Sequence, residues 1–181
     1  CQSLKNVTLG KGVTAVPDMA FMYCRKLTDI NLDGVVEIGS NAFYTTALTE
    51  INLAAAQKLD TYAFAYCEKL HTVTLGAQGV RVEEGAFAYD KKLSCVNGMQ
   101  NVSFVGDYAF AYSILPGADL LGATYIGTHA FYKEQLADFT LTLGSALTDL
   151  GDNPFAFCRL TPFSSVEITS FNGKDYETVI Y

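Results

Sequence analysis

Apolar and polar residues alternate in short runs along this chain, and small groups of alanine and phenylalanine separate the runs. The run from Leu70 to Leu75 has apolar residues at its first, fourth and sixth positions and polar residues between them. This alternation is typical of a short β-strand that buries one face. The same pattern also begins at Leu27 and at Leu48, so we expect a series of equivalent strands.

One phenylalanine occupies the same place in each copy of the pattern, at successive spacings of 22, 21, 23, 23, 21 and 24 residues. These residues are Phe21, Phe43, Phe64, Phe87, Phe110, Phe131 and Phe155. A fixed period in the range of about 20–29 residues, with leucine-type positions inside it, indicates a leucine-rich-repeat solenoid. The predicted fold is therefore a β-rich solenoid. It is a right-handed leucine-rich-repeat array of about seven repeats of 21–24 residues, with short parallel strands and short helical or 3-10 turns.

Each repeat is expected to form one coil around a shared core. The Ala-Phe segment would return behind the strand and cover its inner face. Val36 and Ile38 precede a glycine and suggest a second, shorter strand in the coil. The glycines before the phenylalanine would provide either a positive φ or a close backbone approach; they are Gly39, Gly85, Gly106, Gly127 and Gly151.

A second aromatic residue follows the repeat phenylalanine by one or two positions in every coil. We expect these rings to stack in one row along the back of the solenoid, where packing explains them better than ligand binding. The row consists of Tyr23, Tyr44, Tyr66, Tyr89, Tyr112, Tyr132 and Phe157.

The periodic pattern covers residues 1–165, which we interpret as one solenoid domain. The chain opens at Cys1 in the second half of a repeat, so we interpret it as a fragment of a longer protein. Residues 166–181 are predicted to form two strands around an Asn-Gly turn, either as a C-terminal β-hairpin cap or as the start of a following domain. Pro116 and Gly117 replace strand residues, so that coil should lose part of its ladder.

Composition argues against several classes of function. The net charge is −7, and the 12 Lys and Arg residues are scattered, whereas nucleic-acid binding needs a concentrated basic face. No apolar run reaches the roughly 18 residues of a membrane span. Four of the five cysteines share one repeat position, namely Cys1, Cys24, Cys67 and Cys158. A shared position in the repeat predicts small buried thiols rather than a disulfide framework.

No residue set for catalysis, a cofactor or a metal stands out. His71 and His129 are isolated, and no phosphate loop or Ser/His/Asp set is present. Asp29 and Glu50 are expected about 5 Å apart on adjacent coils. A hard cation could bridge them, but Ca²⁺ usually takes more oxygen ligands. We therefore predict a non-enzymatic protein without a catalytic, cofactor or metal site.

The outward positions of the predicted strands form a small, polar and mildly acidic surface, which is the candidate partner-binding face. Its members are Asp29, Asn31, Glu50, Asn52, His71, Thr72, Thr74, Asn97, Asp138 and Thr140. It lacks the aromatic side chains that dominate tight protein interfaces, so weak or multivalent contacts are expected. The alternative is a solvated sheet with ladders of Asn and Thr side chains.

The I-G-x-x-A-F and F-x-x-C motifs make the chain similar to the BspA-like class of leucine-rich repeats. The resemblance is closest over 38–43 and 63–70 and extends from residue 1 to about 165, although the usual proline after the strand is missing. It implies an extracellular or cell-surface bacterial protein that binds host matrix or cell-surface proteins as an adhesion module. A structural spacer that presents another domain, with no ligand of its own, is the alternative.

Overall fold

The computed structural model describes residues 1–133, 137–160, 170–171 and 174–175. Its strands are β1 Asn6–Val7, β2 Ala15–Val16, β3 Asp29–Ile30, β4 Glu37–Ile38, β5 Glu50–Leu53, β6 Lys58–Leu59, β7 Thr72–Leu75, β8 Val80–Val82, β9 Cys95–Asn97, β10 Val102–Val105, β11 Gly117–Leu120, β12 Tyr125–Ile126, β13 Ala137–Leu143, β14 Asp149–Leu150, β15 Cys158–Leu160, β16 Ser170–Phe171 and β17 Lys174–Asp175. The helical content of these described ranges is one 3-10 turn at Met99–Asn101.

Each coil contributes strands to two walls, and every pairing within both walls is parallel. The even-numbered strands from β2 to β14 form one seven-stranded sheet, which we name the continuous wall. The odd-numbered strands from β1 to β15 form three shorter sheets, β1-β3, β5-β7-β9 and β11-β13-β15, which together are the interrupted wall. The parallel β-solenoid is therefore confirmed, and so is the second short strand before the glycine corner.

One interruption lies beside the proline that the sequence singles out. β9 pairs with β7 but not with β11, and Pro116 immediately precedes β11. Because proline has no backbone N–H, it cannot donate to a ladder at this point. Pairing resumes at Gly117, which lies opposite Thr140 of β13. The coil therefore has no strand pairing with β9 on one side but keeps its pairing with β13 on the other, so the predicted loss of hydrogen bonds affects one side only.

The repeat phenylalanines form a single stack through the core. Successive ring centroids are 4.9 to 5.6 Å apart, and the ring planes differ by 16° at most. The five inner rings, from Phe43 to Phe131, are completely buried, whereas Phe21 and Phe155 at the two ends are partly covered. All coils therefore share one core, as the period predicts.

The segment around each phenylalanine consists of two consecutive tight turns. In the third complete coil, the amide of Ala63 donates to the carbonyl of Asp60 at 3.0 Å, and Ala65 donates to Tyr62 at 3.2 Å. These are 3-10-type hydrogen bonds. Tyr62 and Tyr66 have φ values of 54° and 60°, and this left-handed conformation stops the turns from continuing as a helix.

The same segment also makes a third ladder between coils. Its alternate amides point along the solenoid axis and donate to the next coil at 2.8 to 2.9 Å. These bonds run from Tyr62 to Glu84, from Phe64 to Ala86 and from Tyr66 to Ala88. The left-handed residues thus let a tight corner keep its backbone groups paired.

The glycine corners use both of the conformations that the sequence allows. Gly85 has a φ of +59°, which favours glycine. Gly106 shows the other case, because a Cβ there would lie 2.5 Å from the backbone nitrogen of Glu84. The coils therefore pack too closely at this corner for a side chain.

Beyond the solenoid, β16 and β17 pair antiparallel, with Ser170 opposite Asp175. The predicted domain boundary at residue 165 and the Asn-Gly turn at 172–173 fall outside the described residues. The division into a solenoid of residues 1–165 and a C-terminal unit of residues 166–181 therefore stays a prediction.

Candidate partner-binding surface

The candidate face lies on the outer side of the interrupted wall. In β5, Ile51 and Leu53 are buried while Glu50 and Asn52 are exposed. The predicted residues Asp29, Asn31, Glu50, Asn52, His71, Asn97, Asp138 and Thr140 are exposed, and Thr72 and Thr74 are half-buried. The alternation of the strands therefore places all ten side chains on the surface.

The breaks in the wall divide this face into three patches. The central patch is the most regular, because the register sets Asn52 beside Thr74 and Thr74 beside Asn97. Asp29 belongs to the separate β1-β3 sheet, and Asp138 lies on β13 beyond the break at Pro116. The ten predicted residues are thus grouped by strand rather than joined in one continuous sheet.

Two asparagines of the face are engaged by the chain itself. The side chain of Asn31 accepts a hydrogen bond from the amide of Leu9 at 2.7 Å and donates to the carbonyl of the same residue at 3.2 Å. Asn52 donates to the carboxylate of Asp33 at 2.6 Å. These bonds join neighbouring coils and match the side-chain ladders of the alternative interpretation.

The other polar side chains of the central patch also contact each other. Nδ1 of His71 lies 2.9 Å from the hydroxyl of Thr72, and Asn97 donates to the hydroxyl of Thr74 at 3.5 Å. Both contacts are at the surface, where water competes with them. These groups are therefore available to exchange partners when another protein approaches.

The exposed carboxylates are the least committed groups of the face. Asp29 and Glu50 form no ion pair with the described part of the chain, and Asp138 lies 3.4 Å from Arg159, which is also exposed. Exposed pairs of this kind contribute little to stability. Across the described ranges, His, Cys, Asp and Glu residues form no group of three that could hold a metal ion. The face therefore carries exposed acidic charge.

A shallow depression of about 290 Å³ lies on this face next to the break. Its walls are formed by Pro116, Gly117, Ala118, Asp119, Thr140 and Thr142. One of these wall residues, Thr140, belongs to the predicted face, and a second face residue, Asp138, lies on the same strand, β13. It is open to solvent and does not enclose a cavity of the kind that buries a small ligand.

The predicted aromatic row runs the length of the solenoid. Successive ring centroids from Tyr23 to Phe157 are 4.2 to 5.5 Å apart. The rings of Tyr66, Tyr89 and Tyr112 stack face to face, whereas the other contacts are tilted or edge-on. Tyr23 and Phe157 at the two ends are exposed. The packing that the sequence predicts is therefore found face to face in the centre of the row.

The cysteine position of the repeat is interior at three of the four predicted residues, and the prediction of a buried thiol is wrong for Cys1. Cys24, Cys67 and Cys158 are buried, Cys1 is exposed, and the cysteines are free thiols. Burial raises the pKa of the Cys67 thiol and raises that of Cys158 to about 12. Since the thiolate is the reactive form, these cysteines are not nucleophiles at neutral pH.

Asp90 is a buried acid that sequence reasoning did not single out. It takes the cysteine position of its coil and is completely buried. Its Oδ1 accepts a hydrogen bond from the amide of Cys67 at 2.7 Å, whereas its Oδ2 has no partner. Burial raises the pKa of this carboxyl well above its ordinary value. The signal in the sequence is the appearance of Asp three residues after the repeat phenylalanine, a position that holds Cys, Thr or Ser in every other coil except that of Glu134.

Taken together, the two parallel walls and the phenylalanine stack define a leucine-rich-repeat solenoid. A family model described as "BspA type Leucine rich repeat region" matches residues 1–115 and 121–176 in 6 copies. The chain belongs to the BspA-type leucine-rich-repeat family, and the resemblance noted in its motifs is confirmed. This family is generally non-enzymatic and is typically associated with bacterial surfaces.

Among solved structures, the chain is similar to a leucine-rich repeat protein from Bacteroides ovatus ATCC 8483. The two share 16% sequence identity with a TM-score of 0.48, over 89% of this chain and 66% of the other. This chain thus spans slightly less than two thirds of that protein. A search of curated proteins gives no match. The described residues contain no helix that is both long and apolar enough to cross a membrane.

Proposed function

We propose that this chain is the non-enzymatic protein-binding part of a secreted or cell-surface bacterial protein that adheres to host matrix or cell-surface proteins. Membership of a typically surface-associated repeat family supports this proposal. The observation that carries it is the set of uncommitted carboxylates on the candidate face, above all Asp29 and Glu50.

The proposed mode of binding is electrostatic and multivalent. The face has no exposed aromatic anchor of the kind that dominates tight interfaces. Three patches at successive positions along a stiff solenoid can instead engage repeated basic groups of a fibrous or clustered partner. Each contact is weak, but simultaneous contacts raise the overall affinity.

Neutralising the face should weaken binding while leaving the fold intact. We expect the triple variant Asp29→Asn, Glu50→Gln, Asp138→Asn to lose about tenfold in affinity, because each exposed ion pair contributes roughly 0.2–1 kcal/mol. The measurement is surface plasmon resonance against immobilised collagen, laminin and fibronectin at two salt concentrations. Affinity of the unchanged protein should fall as salt rises.

The matched control removes the same amount of charge away from the face. Its substitutions are Glu37→Gln, Glu68→Gln and Glu84→Gln. If both triple variants lose affinity equally, the net charge and not the face determines binding, and the proposed site is wrong.

A structural spacer is the second candidate function, and a specific observation favours it. The asparagines of the face already bond to neighbouring coils, and three backbone ladders join the coils into a stiff body. Under this alternative, the unchanged protein binds none of the matrix proteins and does not attach to cells. Such a result would leave the solenoid as a support for a neighbouring domain.

A further inference from the structure

The continuous wall carries a mixed aromatic and charged column on its outer surface. Val82, Val105 and Ile126 occupy equivalent positions in β8, β10 and β12, and their side chains are buried in the core. Because successive side chains of a strand point to opposite faces, the residue just before each of them faces outwards. The parallel register aligns four of these outward residues on successive coils. In order along the wall they are Arg81, Phe104, Tyr125 and Asp149.

One end of this column already shows how it holds a guanidinium group. The guanidinium carbon of Arg81 lies 3.9 Å from the ring centroid of Phe104. The Nε of Arg81 also donates to the carboxylate of Glu83 at 2.8 Å. The Phe104 ring in turn stacks on Tyr125, with centroids 4.8 Å apart and planes 13° apart. A cation on an aromatic face with a carboxylate at its side is a favourable arrangement.

The other end of the column also combines an aromatic ring with carboxylates, but here the carboxylate of Asp149 occupies the column position itself and the residue two positions later is Gly151. Tyr125 uses one ring face for Phe104, and its second face is turned towards the coil of Asp149. The hydroxyl of Tyr125 lies 3.5 Å from the carboxylate of Asp107. Within the described ranges, neither Asp107 nor Asp149 forms an ion pair. The pKa of Tyr125 is raised first by burial and then by these carboxylates.

Glycines replace acidic residues at the corners beside this end of the column. In the two preceding coils, the position two residues after the column carries a carboxylate that pairs with the column itself, Asp60 with Lys58 and Glu83 with Arg81. After Phe104 and Tyr125, that position is glycine, at Gly106 and Gly127. These glycines contribute no side chain against the two rings, and the neighbouring corner residue Asp107 approaches the Tyr125 hydroxyl with its carboxylate at 3.5 Å.

We propose that this end of the column, which we name the Tyr125 site, binds an arginine side chain from a basic segment of a partner protein. The guanidinium stacks on the second face of Tyr125 and pairs with Asp149, as Arg81 stacks on Phe104 and pairs with Glu83. Charge complementarity argues for a basic partner, because the site holds carboxylates and the whole chain has a net charge of −7. A second copy of this acidic chain is a poor match for the same reason. The site is separate from the candidate face on the interrupted wall, so it does not depend on the adhesion proposal.

Arginine is favoured over lysine by the geometry of the site. A planar guanidinium can lie flat on a ring and still direct its N–H groups sideways to a carboxylate. An ammonium group is a compact, strongly hydrated charge and fits this arrangement less well.

The test is a titration of the ¹⁵N-labelled protein with the capped peptide acetyl-Gly-Arg-Gly-amide, followed by NMR. We expect saturable shifts centred on the amides of Phe104, Tyr125 and Asp149. The citrulline peptide has nearly the same shape without the charge and should produce no saturable shift. The lysine peptide should bind more weakly than the arginine peptide, because an ammonium group cannot lie flat on the ring and pair sideways with a carboxylate at the same time.

Two variants separate binding from folding. Tyr125→Leu removes the ring, and Asp149→Asn removes only the charge, so the second variant preserves the packing of the wall. Each should weaken the arginine peptide by about two- to fivefold, whereas Glu37→Gln on the same wall should not. The proposal is overturned if the shifts spread evenly over the acidic surface, if citrulline binds equally well, or if Asp149→Asn and Glu37→Gln behave alike.

Discussion

Replacing Phe64 by alanine is expected to lower the free energy of unfolding by about 3–5 kcal/mol. The ring is completely buried and lies between Phe43 and Phe87, at centroid distances of 4.9 and 5.4 Å. Backbone ladders hold the coils at a fixed separation, so the neighbouring rings cannot move together to fill the space. Chemical denaturation followed by circular dichroism measures the loss.

Phe21→Ala is the matched control for this variant. Phe21 lies at the end of the stack, where it is partly covered and contacts one repeat phenylalanine, Phe43. Its truncation should therefore cost clearly less than that of Phe64. Equal losses at the two positions would contradict a stack in which each inner ring is supported from both sides.

Replacing Asp90 by asparagine is expected to remove a pH dependence from the stability of the protein. The pKa of Asp90 is raised in the folded state because the carboxyl is buried with Oδ2 unpaired. Its contribution to stability is therefore fully present below the ordinary carboxyl pKa, near 3.9, and is lost as the pH rises towards the folded-state pKa. Over that window the unfolded state releases the proton that the folded state keeps. Stability should fall by about 1.4 kcal/mol per pH unit from this group.

The asparagine variant keeps Oδ1 as the acceptor for the amide of Cys67 but has no proton to release. We expect it to be more stable than the unchanged protein at pH 6.5, with the difference shrinking towards pH 4. Urea denaturation at several pH values measures both slopes. Asp29→Asn removes an exposed carboxylate and should keep the slope of the unchanged protein. Parallel pH profiles for Asp90→Asn and the unchanged protein would show that the buried carboxyl is ionised in the folded state.

The sequence predicted the architecture because the coil is a repeated unit. Phe64 and its equivalents recur with a fixed period, and their shared environment follows from stacking alone. The loss of pairing at Pro116 was also predictable, since it depends on a missing N–H rather than on tertiary contacts. The left-handed conformation of Tyr62 was not predictable from residue type, because tyrosine has no preference for positive φ.

Two residues show why the surface and the interior were harder to predict. The alternation in β10 favours a buried position for Phe104, but an irregularity in register between Val102 and Phe104 turns that ring outwards. Asp90 is a charged residue that would ordinarily be assigned to the surface. Its burial follows from the phase of the repeat, which overrides the preference of the residue type.

The parallel stacking of the coils can be tested by a cross-link between adjacent strands. β7 and β9 set Thr72 beside Cys95, and neighbouring strands are about 4.8 Å apart, within the Cα range of a disulfide. In a Cys1→Ser background, mild oxidation of the Thr72→Cys variant should therefore give a monomer with a disulfide between positions 72 and 95, identified by peptide mapping. Glu50→Cys lies two strands from Cys95, at roughly 10 Å, and should form no such bond. A disulfide between positions 50 and 95, with none between 72 and 95, would contradict the parallel solenoid.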